Sequence, residues 1–353
     1  EEYVSPEKIF THYAYFSSYS DTWLDHARRY SEMAMGRFHL TAENFVVEIA
    51  SNDGYLLQNF VKAGIPVLGI EPAVNVAEAA LKKGVSTLIA FFSEDTARNL
   101  IANGRKADLI IGNNVLAQVP ALNDFVAGLK VMLAPAGVIT LEFPHLYQLM
   151  SGNQFDTIYH EHFSYFSFYS AKKIFAKHQL EIFDVEELPT HGGSLRIYLH
   201  HSDDRTHEVS DRVQKLEQEE SKHNVNNLKT YSTFGENVKE TKRKLLEFLI
   251  TAKREGKKIA GYGAPGKGNT LLNYCGIRTD FLDYTVDRSP FKQGKFLPGT
   301  HIPIYPPEHI NETRPDYVFI LPWNLKDEIM KQMAFIREWG GKFVVPIPEL
   351  TVY

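Results

Sequence analysis

The chain has 353 residues, 44% apolar and 23% charged, with a formal net charge of −5 and a single cysteine, Cys275. That length suits two cores, the composition is globular, and one cysteine excludes a disulfide framework or a cysteine zinc site within the chain. No basic run invites sequence-independent nucleic-acid binding, no apolar run approaches the ~18 residues of a membrane span, and no signal-peptide pattern stands at the start, so the expectation is a cytoplasmic protein without a nucleic-acid or membrane partner.

Residues 1–40 predict amphipathic helix with Tyr and Phe on one side. From NFVVEIA (44–50) onward the pattern is strand, turn, helix, repeated. YLLQNFVKAG (55–64) reads as a helix, IPVLGIEP (65–72) as a strand and VAEAALKKG (76–84) as a helix. STLIAFF (86–92), ADLIIGNN (107–114) and GVITLEFP (137–144) read as further strands, separated by helices through TARNLIANG (96–104) and NDFVAGLKVML (123–133). Short apolar strands alternating with helices predict a parallel sheet covered on both faces. Residues 206–256, rich in Glu, Lys, Gln and Asn, predict one or two long, mostly exposed helices. KKIAGYGAPGKG (257–268) restarts the strand–loop–helix pattern, and FLDYTVD, DYVFIL and KFVVPIP supply more strands. Two α/β units follow, near 1–200 and 250–353.

The first turn, VVEIASNDGYLL (46–57), places Glu48 near a strand end and a Ser-Asn-Asp-Gly turn before a helix. It lacks the three spaced glycines that hold a pyrophosphate. Glu71 ends the second strand, where a carboxylate can accept both hydroxyls of a ribose. Glu48, Gly54, Glu71, Asn113 and Asn114 all belong to the carboxyl edge of the sheet, where ligands bind in open α/β folds. A ribose on Glu71 with an amino-acid group over the first loop describes S-adenosylmethionine. The alternative, NAD on Glu71, is disfavoured by the missing glycines.

The second loop, GYGAPGKGNTLLN (261–273), frees its backbone with four glycines, adds Lys267 and opens a helix, which together point to phosphate. It is not a Walker A loop, because Lys267 is followed by Gly-Asn. A diphosphate held as a handle fits better than one being transferred, and a structural glycine turn is the plainer alternative. Asp287 ends YTVD, either as a ribose or base contact or as a helix cap.

TIYHEHFSYFS (157–167) packs His160, Glu161 and His162 among aromatics, and ionisable groups are costly to bury there without purpose. His160 and His162 share one face of a strand, with His191 as a third metal ligand to consider. The Gly192-Gly193 pair argues for a close-packed turn instead, and the spacing is not H-E-x-x-H. A histidine-rich core segment is the bland reading. Arg196, in HGGSLRIY (191–198), has either a phosphate or a carboxylate from the long acidic helices as its expected partner.

Five segments in order, YAYFSSYSDTWLDHA (13–27), VVEIASNDGYLL (46–57), YHEHFSYFS (159–167), HGGSLRIY (191–198) and GYGAPGKGNTLLN (261–273), together resemble the S-adenosylmethionine-dependent sugar C-methyltransferases that act on nucleotide-linked 4-keto deoxysugars. The resemblance runs over nearly the whole chain. It implies a class I methyltransferase Rossmann-like domain (41–205) preceded by a segment (1–40) that closes the active site. A helical connector (206–256) and a second Rossmann-like α/β domain (257–353) that grips the nucleotide sugar would follow. It implies donor binding by Glu48, Ser51, Asn52, Gly54, Tyr55, Glu71, Asn113 and Asn114, and substrate binding by His191, Gly263, Ala264, Lys267, Asn269 and Asp287, with no metal in either site. His162 would be the general base, with Glu161, Tyr159 and Tyr13 around the same site. The base forms an enolate beside the ketone, commonly at carbon 3, and the enolate attacks the sulfonium methyl.

The sequence departs from this family in two places. The family's N-terminal zinc module, with two pairs of cysteines, has no counterpart, and the chain begins about where that module would end. The expectation is that it was trimmed or lost, and a gene start placing Glu1 directly after the initiator Met would rule out trimming. After the fourth strand, Gln118 stands where the family has a histidine, which removes any acid–base duty there. Alternatives are an O- or N-methyltransferase on a similar substrate, a NAD-dependent sugar oxidoreductase or epimerase, and a non-catalytic binding module. The oligomeric state is left open.

Overall fold

A computed structural model describes residues 4–13 and 15–353; residues 1–3 and Ala14, part of the expected N-terminal helical segment, lie outside the described residues. The chain divides into two compact units. The first comprises residues 1–145, 160–189 and 193–223, and the second residues 146–159, 190–192 and 224–353.

The first unit is built on a seven-stranded sheet: β1 (Val46–Ile49), β2 (Val67–Ile70), β3 (Thr87–Leu88), β4 (Ala107–Asn113), β5 (Leu133–Pro144), β6 (Leu180–Leu188) and β7 (Ser194–His201), in spatial order β3-β2-β1-β4-β5-β7-β6. β1 through β5 pair in parallel, whereas β7 runs antiparallel to both β5 and β6. The sheet is therefore mixed rather than wholly parallel. β1 and β4 are buried on both faces, which is why they read as unbroken apolar runs. Helices start where the sequence supplies caps: Ser93 accepts from the Thr96 amide, Ser167 from Ser170 and Ser20 from Trp23. The N-terminal segment is only partly helical. A short helix (Pro6–Phe10) and the long Asp21–Arg37 helix flank irregular chain at Thr11–Tyr13 and Tyr15–Phe16.

The Asp211–Lys222 helix belongs to this unit, where Val213 and Leu216 enter the core, Arg212 pairs with Asp184, and Glu220 makes its most buried polar contacts. Glu220 Oε1 accepts from the Phe168 amide (2.6 Å) and lies 2.7 Å from Nε2 of fully buried His145, while Oε2 accepts from the Tyr169 amide (2.8 Å). A carboxylate thus caps the first turn of the Phe168–Lys177 helix from a neighbouring element.

The second unit has a six-stranded sheet in order β10-β9-β8-β11-β12-β13, from β8 (Ile259–Tyr262), β9 (Tyr284–Val286), β10 (Ile304–Tyr305), β11 (Tyr317–Ile320), β12 (Lys342–Val345) and β13 (Thr351–Val352). All pairs are parallel except β12 with β13. The Leu228–Arg254 helix buries Val238, Leu245, Leu249 and Ala252 into this unit's core, the spacing of one helical face. Among the described residues no helix is long and apolar enough to cross a membrane.

Candidate active site

The carboxyl edge of the first sheet gathers a cluster of carboxylates. Glu71, at the end of β2, takes the Asn52 amide on Oε2 and the Ala73 amide on Oε1, both at 2.9 Å. Burial pushes its carboxyl up, opposed by those two N–H groups. Each oxygen keeps a lone pair for a further donor, as two ribose hydroxyls would require. Glu48, in β1, is fully buried, and neither oxygen has a hydrogen-bond partner of good geometry among the described residues. Burial pushes its carboxyl well up; the nearby Tyr55 phenol favours the charged form, and the charges of Glu71 and Asp53 oppose it. An orphaned buried carboxyl costs several kcal/mol by the usual scale, and a cationic ligand would relieve it. Gly54 closes the turn at φ +74°, and a Cβ there would stand 2.9 Å from Val85, so both conformation and space call for glycine.

The remaining expected donor residues divide. Asn113, at the end of β4, reaches the Tyr55 hydroxyl (3.4 Å), and Asn114 follows it in a left-handed conformation, its amide bonded to the Glu142 carbonyl. Asn52 and Ser51 turn elsewhere. The Asn52 side chain accepts from the Ser17 amide (2.8 Å) and donates to the Tyr15 carbonyl (3.1 Å), tying down the N-terminal segment. Ser51 is buried against Gly69, where a Cβ would lie 2.3 Å from its hydroxyl.

The same edge carries the aromatic histidine segment. Amides of Phe163 (2.8 Å) and Ser164 (3.2 Å) both donate to the Ala117 carbonyl, in the turn that follows β4 and contains Gln118. Glu161 and His162 immediately precede that anchor. Asn75 brackets Tyr13, accepting its amide (3.1 Å) and donating to its carbonyl (2.7 Å), and the Tyr13 hydroxyl donates to Glu161 Oε2 at 3.0 Å. Tyr13 therefore meets Glu161, while His162 lies edge-on to Tyr165.

Tyr159 and His191 belong to the second unit. There Gly263, Ala264, Lys267 and Asn269 stand after β8, at the start of the Gly266–Cys275 helix, and Tyr159 lies against Gly266. Gly263 has φ +91°, and a Cβ would lie 2.6 Å from Pro322. Asp287 is spent on the loop itself: it accepts from the amides of Ala264 and Ser289 (both 2.8 Å), and Lys292 lies 3.4 Å away. Lys267 donates to Asn324 (2.8 Å) and lies 4.5 Å over the Trp323 ring. Burial pushes its pKa down, opposed by Asp156, whose own carboxyl burial raises to about 6 although Trp323 donates to it at 2.7 Å. His191 adopts φ 55° in a turn whose Gly192 carbonyl accepts from Gln154 (2.6 Å).

Sequence reasoning gave no role to three residues near this edge, Trp23, His26 and Glu142. His26 Nε2 lies 2.9 Å from Glu142 Oε2, and His26 stacks on Trp23. Arg196 is paired with this same Glu142 (2.7 Å) and with Glu186 (3.4 Å), neither of them on the long acidic helices. DTWLDHA, with His26 one turn after Trp23 on one helix, was the only available signal.

The chain is similar to known methyltransferases. Residues 25–185 match a family described as methyltransferase domain, and residues 189–348 a family described as C-methyltransferase C-terminal domain. Over 99% of its length the chain is 36% identical to the C-methyltransferase NovU of Streptomyces niveus, covering 83% of that protein. Two solved structures are more loosely similar. A SAM-dependent methyltransferase from Anabaena variabilis has 16% identity over 51% of this chain and 86% of its own, with a TM-score of 0.42. The PH0226 protein of Pyrococcus horikoshii has 14% identity over 55% and 97%, with a TM-score of 0.43. Likeness at that level says nothing about substrate. The chain belongs to the C-methyltransferase family, with a class I methyltransferase fold in its first unit. It is an S-adenosylmethionine-dependent enzyme.

Proposed function

We propose that this enzyme methylates the carbon beside the ketone of a nucleotide-diphosphate-linked 4-keto deoxysugar, with His162 as the general base. The observation that carries the reading is the double anchor of Phe163 and Ser164 on Ala117. It sets Glu161 and His162 on the same sheet edge as Glu48 and Glu71. A carbon next to a carbonyl becomes a nucleophile once its proton is removed, and a positioned neutral imidazole suits that task near neutral pH. The C–H bond breaks, the proton passes to His162, and the electron pair moves onto the ketone oxygen as an enolate. That oxygen then needs hydrogen-bond donors. Tyr13 is one candidate, by exchanging its Glu161 partner for the enolate. The donor, when bound, supplies the electrophilic methyl group that the enolate carbon takes up.

The N-terminal segment, pinned through Asn75 and Asn52, would cover this edge. In the second unit the Gly263–Gly268 loop would receive the diphosphate chiefly through its backbone. Lys267, beside Asn324 and the Trp323 ring, and Lys292, which donates to the Ala264 carbonyl, would supply charge there. Tyr159 would stand beside that loop.

The test separates chemistry from binding. A panel of nucleoside-diphosphate 4-keto sugars is incubated in deuterated water with enzyme and S-adenosylhomocysteine, and label at the carbon beside the ketone is followed. Wild type should exchange it. His162→Ala should lose both exchange and methyl transfer, by at least about a hundredfold, while binding S-adenosylhomocysteine as tightly as wild type. Near-normal exchange in that variant would remove His162 from the role of base. Methylation of a substrate with a hydroxyl and no ketone would replace C-methylation of a ketosugar by O-methylation.

A further inference from the structure

Behind the donor edge lies a buried ionic cluster that the reaction above does not use. Glu142, near the end of β5 and in register with Asn113 of β4, is fully buried. One of its oxygens, Oε2, meets both Arg196 (2.7 Å) and His26 (2.9 Å). Arg196 in turn lies 4.6 Å over the Tyr30 ring, and Tyr30 meets Thr140 at 2.5 Å. A buried Arg–Glu pair is poor value as a stabiliser, since apolar side chains of similar volume do as well or better. What it does here is fix one ring. His26 stacks on Trp23 with centroids 4.9 Å apart and planes 19° from parallel, and Trp23 lies against Tyr55 at 6.0 Å and 25°. Tyr55 is buried, with its hydroxyl beside Asn113 and its phenol felt by Glu48.

We propose that His26, held by Glu142 and Arg196, is a positioning residue of the methyl-donor pocket, and acts by setting Trp23 and Tyr55 against Glu48 and Asn113. Donor affinity then depends on groups one and two contacts removed from the donor. The inference rests on the assignment of this edge to the donor. The ring stack and the hydrogen bond to Glu142 are separable: His26→Phe keeps an aromatic ring and loses the bond, while His26→Gln keeps an amide donor and loses the ring. Trp23→Phe identifies, among the chain's three tryptophans, the fluorescence that belongs to Trp23.

The experiment titrates S-adenosylhomocysteine into wild type and each variant, by calorimetry and by tryptophan fluorescence, alongside melting curves without ligand. Wild type should bind and change its emission, and Trp23→Phe should lose most of that change. His26→Phe and His26→Gln should each weaken binding by about tenfold, the scale of one lost aromatic contact, and shift the emission at saturation. Variants with wild-type affinity and wild-type emission at saturation would overturn the inference. So would a lowered melting temperature with unchanged affinity, which is what a merely structural cluster predicts. Should a His26 variant fail to fold, Glu142→Gln, which keeps the shape of the cluster, is read in the same way. Failure of wild type itself to bind S-adenosylhomocysteine would strike the donor assignment rather than this inference.

Discussion

Glu48 is in tension with itself. Among the described residues its carboxyl has no hydrogen-bond partner of good geometry, it lies close to Glu71 and Asp53, and burial pushes it well above its usual value of 4.5. The folded, donor-free protein therefore binds a proton that the unfolded chain releases. For such a group stability is fully present below the unfolded value and is lost as pH rises through the carboxylate range toward the raised folded value. Glu48→Gln keeps the shape and cannot ionise. Thermal unfolding of the donor-free variant between pH 5 and pH 8 should show a higher melting temperature at the alkaline end and a flatter slope than wild type, together with weaker donor binding; an unchanged slope would mean Glu48 is ionised in the fold. Glu48, Gly54 and Glu71 were legible because each sits at a strand end or turn that the apolar pattern marks. Lys267, Asp287, Asn52 and Ser51 were legible only as residue types. Their partners, Asn324, the Ala264 amide, the Tyr15 carbonyl and Gly69, come from elsewhere in the chain. The 116-residue separation of His26 and Glu142 hid that contact altogether.

Among the elements, the Asp211–Lys222 helix shows how a polar sequence earns a fixed place. Most of its surface is charged, and only Val213, Leu216 and Glu220 are buried. Glu220 serves two amides of the Phe168–Lys177 helix and His145 together. Glu220→Ala removes the acceptor of two helix amides, that of Phe168 buried, and the partner of buried His145, and urea unfolding should find a loss of about 3 kcal/mol, between the cost of a missing cap and that of a broken buried pair. A loss below 1 kcal/mol would mean that water replaces the carboxylate. The alternation of strands and helices up to β5 was plain from sequence. The β6–β7 pair was not, because only a short turn at Thr190–Gly192 separates its two strands, with no α-helix between them, and they pair antiparallel with a register shift between Ile182 and Asp184. An apolar run reveals a strand but not the direction of its neighbour.

For the molecule as a whole, two histidines of the first unit predict a loss of stability in acid. His200 and His207 are both held below their usual value of 6.5, chiefly by burial. Phe183 lies against both rings; Asp204 and Glu181 favour charge on His200, while Arg37 opposes it on His207. In the fold they prefer to be neutral, so below about pH 6.5 the unfolded chain binds more protons and stability falls as pH falls. Urea midpoints at pH 7.5, 6.5 and 5.5 should decline in wild type and decline less in His200→Phe; equal slopes would move the acid limb to other groups.

The order in which the chain is made adds a consequence of its own. The second unit recruits Leu146–Tyr159 and Thr190–Gly192, yet its sheet begins only at β8. During synthesis Phe155 and Asp156, both buried in the finished protein, emerge well before β8, the first strand of that sheet, and Asp156 emerges 167 residues before the Trp323 side chain that donates to it. Until then they are an apolar ring and a carboxylate exposed in the middle of an otherwise completed first unit, and a nascent chain stalled near residue 223 should be a client for chaperones in a way that the released protein is not.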